Sequence, residues 1–296
     1  MRKLKVFSMA MALFLIIGLT AQTAMALPTN LILGIDDDSD QFVLFDIETY
    51  EETALTITSG SDADGKVANE IESLSFDYDI YNASGSNVFY GVQSFDSSLT
   101  SQLYKFELTD DLTGISIQTV GDAFEASEIE DMAYIDGSLY AVDNKANELV
   151  KINTAGELIA QTAIVGDEGA QGFEGLAYSF VDGKLYGSAT YNDKDVDGSS
   201  SLYAIDIGTG QADLVGQIGF GEIEALTFAS NTLYGTSDMT DDFIQISTAT
   251  GEGTKLADWG SDIEGIAAGA APEPATMFLL GAGLLGLAGF RKKFKK

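Results

Sequence analysis

The sequence predicts an all-β fold: a five-bladed β-propeller closed by strands from both ends of the chain. An N-terminal signal peptide precedes it and a single C-terminal transmembrane sorting helix follows. Three observations carry this reading. A four-segment unit recurs along the middle of the chain. The chain enters that unit at its second segment and supplies the missing first segment last. Both ends carry apolar runs flanked by Lys and Arg, whereas the middle is strongly acidic.

The first segment of the unit reads "EIESLSF", "EIEDMAY", "GFEGLAY", "EIEALTF" and "DIEGIAA". The second reads "NVFYGV", "SLYAVD", "KLYGSA" and "TLYGTS". The third, "QLYKFELTDDLTG", "ELVKINTAG", "SLYAIDIGTG" and "DFIQISTATG", ends in a turn, and a fourth such as "ADLVGQIG" completes the unit. Short runs rich in β-branched and aromatic residues, bounded by Gly, Asp, Asn and Ser, read as strands joined by turns. Four strands recurring every forty to sixty residues or so match a propeller blade. "NLILGID", "QFVLFDIETY" and "ALTIT" (Ala54 to Thr58) match a second, third and fourth strand, and "IEGIAAG" (Ile263 to Gly269) supplies the first. One blade built from both termini seals the ring and removes an open edge. A β-helix or a stacked sandwich is the alternative architecture.

The ends divide the chain into three parts: a signal peptide, 1–26, a repeat domain, 27–270, and a tail, 271–296. Arg2, Lys3 and Lys5 precede the apolar stretch Val6 to Leu19, and Ala24-Met25-Ala26 presents small residues to a signal peptidase. In the tail, Ala275 to Phe290 is apolar or small except for Thr276, and Arg291, Lys292, Lys293, Lys295 and Lys296 follow. As a helix this run reaches roughly 24 Å, a little short of a ~30 Å hydrocarbon core, with the basic cluster held on the cytoplasmic side. Pro272 and Pro274 keep the preceding linker from continuing any helix.

The charge of the middle excludes several partners. The chain has 46 acidic and 15 basic residues. Between the end segments, seven lysines stand against 45 carboxylates and no arginine, a net charge of −38. Such a domain repels nucleic acid and anionic headgroups, and it lacks the guanidinium forks suited to phosphate. There is no cysteine and no histidine, which removes disulfides, thiol nucleophiles, Ser-His-Asp triads and His-ligated zinc.

Each first strand carries a glutamate near its start: Glu72, Glu130, Glu174, Glu224 and Glu264. Strict alternation would put Glu130 on one face with Met132 and Tyr134, and Ile129 on the other. These positions fall at one mouth of the central channel, where the acidic loops between second and third strands also open. Such a ring of carboxylates is either a latch, each tied to N–H groups of the next blade, or a cation site on the axis. In one of the loops, Asp193-x-Asp195-x-Asp197 followed by Gly198 has the spacing of the first half of a calcium loop, with Ser199 and Ser201 as further oxygens. The twelfth position is Ala204 where an EF-hand has glutamate. Phe124, Phe173, Phe220 and Trp259 precede first strands at the same mouth, where they either stack on sugars or pad the loops.

The tail resembles the PEP-CTERM sorting signal of Gram-negative bacteria, through Pro272-Glu273-Pro274, the apolar run and the basic cluster. The resemblance implies handling by an exosortase, anchoring in the inner membrane through the C-terminal helix before processing, and surface display or release. It also implies an association with exopolysaccharide and biofilm. The LYG and LYxID-x-TG segments resemble repeats of secreted bacterial propellers. "FEGLAY" and "IEGIAAG" are similar to segments of phytase-like and lactonase-like propellers. Two functions follow as expectations. One is a non-catalytic surface or matrix protein binding calcium and polysaccharide on its acidic face; the other is a metal-dependent hydrolase of the lactonase or phytase-like kind.

Overall fold

The computed structural model describes residues 27–36, 39, 41–60, 71–95, 97–166, 170–190, 198–259 and 262–269. Five sheets form a ring. The closing blade pairs β22 (Ile263–Ala268) with β1 (Leu31–Asp36), followed by β2 (Gln41–Asp46) and β3 (Glu52–Ala54). The next blade runs β5 (Ser75–Phe76), β6 (Val88–Phe95), β7 (Thr100–Leu108) and β8 (Gly114–Glu125), with β4 (Thr56–Ser59) added in parallel at its outer edge. Then come β9 (Ile129–Ile135) to β12 (Leu158–Ala163), linked through β10 (Ser138–Asp143) and β11 (Glu148–Asn153). The fourth blade is β14 (Phe173–Ser179), β15 (Lys184–Thr190), β16 (Ser200–Ile205) and β17 (Gln211–Gln217), edged by β13 (Val165–Gly166). The fifth is β18 (Ile223–Ala229), β19 (Thr232–Ser237), β20 (Asp242–Ile246) and β21 (Gly253–Asp258). Contacts run β5–β9–β14–β18–β22 and back to β5, so the innermost strands close the circle.

The five-blade count and the closure by both termini therefore stand. Two details differ from the repeat. The run read as one fourth strand from Ala54 to Thr58 is split: β3 completes the closing blade, and β4 crosses to its neighbour. A short helix, α1 (Tyr78–Ser84), interrupts the second blade between its first two strands. Asp77 caps it by accepting Ile80 N–H at 2.8 Å, and Gly85 ends it in the left-handed region at φ 80°.

The hairpins between third and fourth strands explain the recurrent polar turns. Asp46, Asn153 and Asp206 each accept N–H groups two to four residues ahead, which fixes the turn. Gly251 at the end of such a turn has φ 80°, and a Cβ there would lie 2.5 Å from the Gly216 carbonyl oxygen of the preceding blade. Only glycine suits both the backbone and this approach.

Each innermost strand carries one residue more than its partner at the glutamate. In β9, Met132 pairs with Ala141 but Ile129 pairs with Asp143; β14, β18 and β22 repeat the shift. The bulge corrects the strict alternation expected from sequence. Ile129, Met132 and Tyr134 pack on one face together, as do Ile71, Leu74 and Phe76. The glutamate and the residue after it are turned out of both blade faces toward the axis, as bulges re-aim side chains. Both faces are then free for apolar residues, and five clusters fill the spaces between blades.

The residue after the glutamate is Ser73, Asp131, Gly175, Ala225 or Gly265. Asp131 alone is acidic, and it is fully buried. Its Oδ1 accepts Met132 N–H at 2.8 Å, and its Oδ2 accepts Leu176 N–H at 2.7 Å and Leu226 N–H at 3.0 Å. Leu74 N–H donates to the same carboxylate. Three other blades are thereby tied to one side chain. Burial pushes its pKa well above the ordinary carboxylate value, and the four N–H donors pull against that.

Asp131→Asn turns an NH2 group toward backbone donors and removes an acceptor oxygen. It is expected to cost roughly 3 kcal/mol or more. Ser73→Ala, which removes the acceptor of Val92 N–H at 2.9 Å, is expected to cost about 1 kcal/mol. Denaturant unfolding of both variants checks the order; an Asp131→Asn protein as stable as the parent would show that the hub carries little.

Candidate functional site

Innermost strands begin at one mouth of the ring, and the loops between second and third strands open there too. The bulge fixes each glutamate on the inner side, and the neighbouring loop supplies its partner. Asn144, just after β10, donates from Nδ2 to Glu130 Oε1 at 3.2 Å. Thr190, at the end of β15, donates from Oγ1 to Glu174 Oε2 at 2.9 Å. Both partners come from the glutamate's own blade. The latch expected for these two, through N–H groups of the next blade, is instead made one residue later by Asp131.

At the fifth blade the arrangement changes. Carboxylate oxygens of Glu224, Asp238 and Asp262 all lie within 4.8 Å of one another. Asp238 begins the loop after β19, and Asp262 directly precedes β22, so two blades contribute. Burial first, then the charges of Asp238, Asp262, Glu264 and Glu174, push the Glu224 carboxyl up to about 9. Burial likewise pushes Glu130 up to about 7, opposed by Asn144 and Lys145 and reinforced by Glu128 and Asp143. Glu174 is pushed up to about 7 by burial, against the Thr190 hydrogen bond, with Glu130, Glu222 and Asp238 adding to it. Glu72 and Glu264 are half-buried at the same strand position. The Glu72 carbonyl oxygen lies 3.2 Å from where a Cβ on Gly265 would stand, at the seam where the ring closes.

Lys145 reaches this mouth and pairs with Glu128 at 2.7 Å. Beside it an open groove of about 550 Å³ is lined by Asn144, Asn147, Gln171, Glu174 and Thr190. Its walls are amides, the Thr190 hydroxyl, the Glu174 carboxylate and the Lys145 side chain, without an aromatic plane. Phe124, Phe173 and Trp259 are buried, and Trp259 stacks on Phe45 with centroids 3.9 Å apart. Phe220 packs against the cluster between the fourth and fifth blades. These rings pad the loops.

Asp193, Asp195 and Asp197 of the calcium-like spacing lie outside the described residues, as do Pro272, Glu273 and Pro274. Ser199 Oγ accepts Gly219 N–H at 3.0 Å and donates to the Ser200 carbonyl at 3.4 Å, which ties down the end of that loop. The grouping of Glu224, Asp238 and Asp262 was not anticipated as a set. Its signal was present: "DMTDD" and "SDIEG" both bring aspartates to the mouth at which Glu224 stands.

Glu130 and Glu174 hold protons more tightly folded than unfolded. Their contribution to stability is complete below the ordinary glutamate pKa of about 4.5 and is lost as pH rises through about 7. Thermal unfolding in chelator should therefore fall between pH 5 and pH 7.5. Glu174→Gln, which stays neutral, should flatten that slope; an identical slope would place the titration elsewhere.

Comparison with known proteins supports the fold and the tail. A chain in the crystal structure of a nidogen/laminin complex is similar over 81% of this chain and 98% of that one, at 12% identity and a TM-score of 0.50. The PQQ-bound aldose sugar dehydrogenase of Streptomyces coelicolor aligns over 83% and 84%, at 14% identity and a TM-score of 0.49. The glutaminyl cyclase of Myxococcus xanthus aligns over 78% and 94%, at 14% identity and a TM-score of 0.43. The first of these supports the architecture and nothing finer. No curated protein matches the chain. Residues 270–293 match the PEP-CTERM protein-sorting motif, which implies export, membrane anchoring for sorting and processing by an exosortase. The chain thus carries a PEP-CTERM protein-sorting motif at residues 270–293, and its described part is a five-bladed β-propeller.

Proposed function

We propose that this is an exported, non-catalytic binding propeller, delivered to the cell surface or the surrounding matrix, whose carboxylate mouth takes a divalent cation, calcium. The observation that carries the reading is the convergence of Glu224, Asp238 and Asp262. Three carboxylates so close repel one another, and protonation of Glu224 relieves only part of that. Calcium accepts six to eight oxygens in flexible geometry, so it suits carboxylates contributed by separate loops. No histidine is available to favour zinc or copper.

The wider partner in this reading is a hydroxyl-rich, uncharged polysaccharide. The groove of Asn144, Gln171, Glu174 and Thr190 beside the mouth offers donors and acceptors to hydroxyls. The absence of arginine between the two end segments and the charge of −38 disfavour phosphorylated or anionic chains unless calcium bridges them.

The hydrolase reading needs one blade to present a distinctive group to substrate. Asp131 is the distinctive acidic residue of the five equivalent positions, but its oxygens are occupied by backbone N–H groups and it is fully buried. It serves the ring and is out of reach of a substrate, so the binding reading is preferred.

Calcium should raise the melting temperature by an amount that grows with RT ln(1 + [Ca]/Kd), about 2.7 kcal/mol at a hundredfold excess over Kd. Asp238→Asn should abolish that increment and leave the protein in chelator at least as stable as the parent. Asp195→Ala, in the loop whose spacing resembles a calcium site, separates the two locations. Loss of the increment there, with Asp238→Asn unaffected, would move the site to that loop. No increment in the parent would reject calcium.

A further inference from the structure

Both ends of the domain leave the ring at the mouth opposite the carboxylates. Innermost strands start at the glutamates and run away from them, so β22 ends at Ala268 on the far side. β1 is antiparallel to it, with Ile32 opposite Ala268. Leu27 is buried there, its N–H donating to Asn87 Oδ1 at 3.0 Å. A Cβ on Gly269 would meet the Leu27 side chain at 2.3 Å, so the first and last described residues touch.

That far mouth has a different chemistry. Four innermost strands place an aromatic at the same position, Phe76, Tyr134, Tyr178 and Phe228, and the fifth has Ala268. Tyr78 and Tyr178 pack edge-on against Phe180, with centroids 4.7 and 5.0 Å away. Phe180 is 36% exposed and Val181 68% exposed. Of the four aligned rings, Phe76 and Tyr134 are buried in the clusters between blades, whereas Tyr178 and Phe228 are half-buried; a half-buried tyrosine, with one polar edge, suits the headgroup level of a bilayer.

We propose that in the membrane-anchored precursor this aromatic mouth lies against the bilayer surface, and that the carboxylate mouth points away from it. The inference rests on the export and anchoring reading above. Only residues 270–274 separate Gly269 from the apolar run that begins at Ala275. Five residues span at most about 18 Å. The headgroup layer takes up roughly 5–8 Å of that on each side of the core. The far mouth is therefore held within about 13 Å of the headgroups, while the carboxylate mouth stands a full strand length further out. Asp79, Asp136 and Asp182 also rim the aromatic mouth, as do the turns at Asp46, Asp111 and Asp206. The surface it meets is accordingly a zwitterionic one, and the tether, not charge, holds it there.

The chain has no cysteine, so Val181→Cys and Met239→Cys each give a single thiol, the first at the aromatic mouth and the second, 52% exposed in the parent, beside the carboxylates. Each full chain is labelled with an environment-sensitive fluorophore and reconstituted into phosphatidylcholine vesicles carrying headgroup spin labels. The expected result is loss of fluorescence at 181 and none at 239, with anionic lipid weakening the loss. Equal loss at both sites, loss at 239 alone, or no loss at either while the protein floats with the vesicles would overturn the orientation. A chain that does not float with the vesicles would instead reject the anchoring reading and the orientation with it.

Discussion

Asp131 accepts backbone N–H groups from its own strand and from the innermost strands of three other blades, and the rest of the ring is arranged around that one carboxylate. A buried carboxylate left alone would cost several kcal/mol. Surrounded by donors whose positions are set by rigid strands, it becomes a common acceptor that links blades distant in sequence. The arrangement tolerates one such side chain only. At the equivalent position the other blades carry Ser73, Gly175, Ala225 and Gly265, and a Cβ on Gly175 would already stand 2.5 Å from Ser188 Oγ and 2.7 Å from Leu226 Cγ. Five-fold repetition must therefore be broken once, at the axis.

The same bulge that delivers Asp131 to the axis also delivers the glutamates to the mouth. These two consequences have opposite energetic signs. The hub is satisfied by donors, whereas the mouth gathers acids whose burial and mutual repulsion raise Glu130, Glu174 and Glu224. Asn144 and Thr190 hydrogen-bond two of them, and Glu224, Asp238 and Asp262 bring three carboxylates within 4.8 Å of one another. Strain of this kind gathers where a protein binds something, since a ligand of opposite charge recovers what the fold gives up.

Much of this was legible in the sequence, and the rest was hidden for identifiable reasons. Repetition alone exposed the blades, the closing strand and the shared mouth, because four strands with their turns leave a strong pattern. Alternation misplaced Ile129 and Met132 on opposite faces, because a bulge is a change of register between two strands and leaves no mark in either one. Asp131 was visible as the odd residue among Ser, Gly, Ala and Gly. Its role was not, since its partners are backbone groups of Leu74, Leu176 and Leu226, to which side-chain chemistry gives no clue. α1 escaped because Asp77 and Gly85, its two caps, read equally well as an ordinary loop between strands.

A propeller closed by its own termini has a built-in polarity. Closure requires the first and last strands to pair, so the ends of the chain emerge together, at whichever mouth the innermost strands finish. The bulged glutamates sit where those strands begin, at the opposite mouth. The exit toward the sorting motif and the carboxylate mouth are consequently placed at opposite ends of one short axis by topology, before any particular residue is chosen. In the proposed orientation, a sorting motif following the last strand keeps the carboxylate mouth turned away from the membrane.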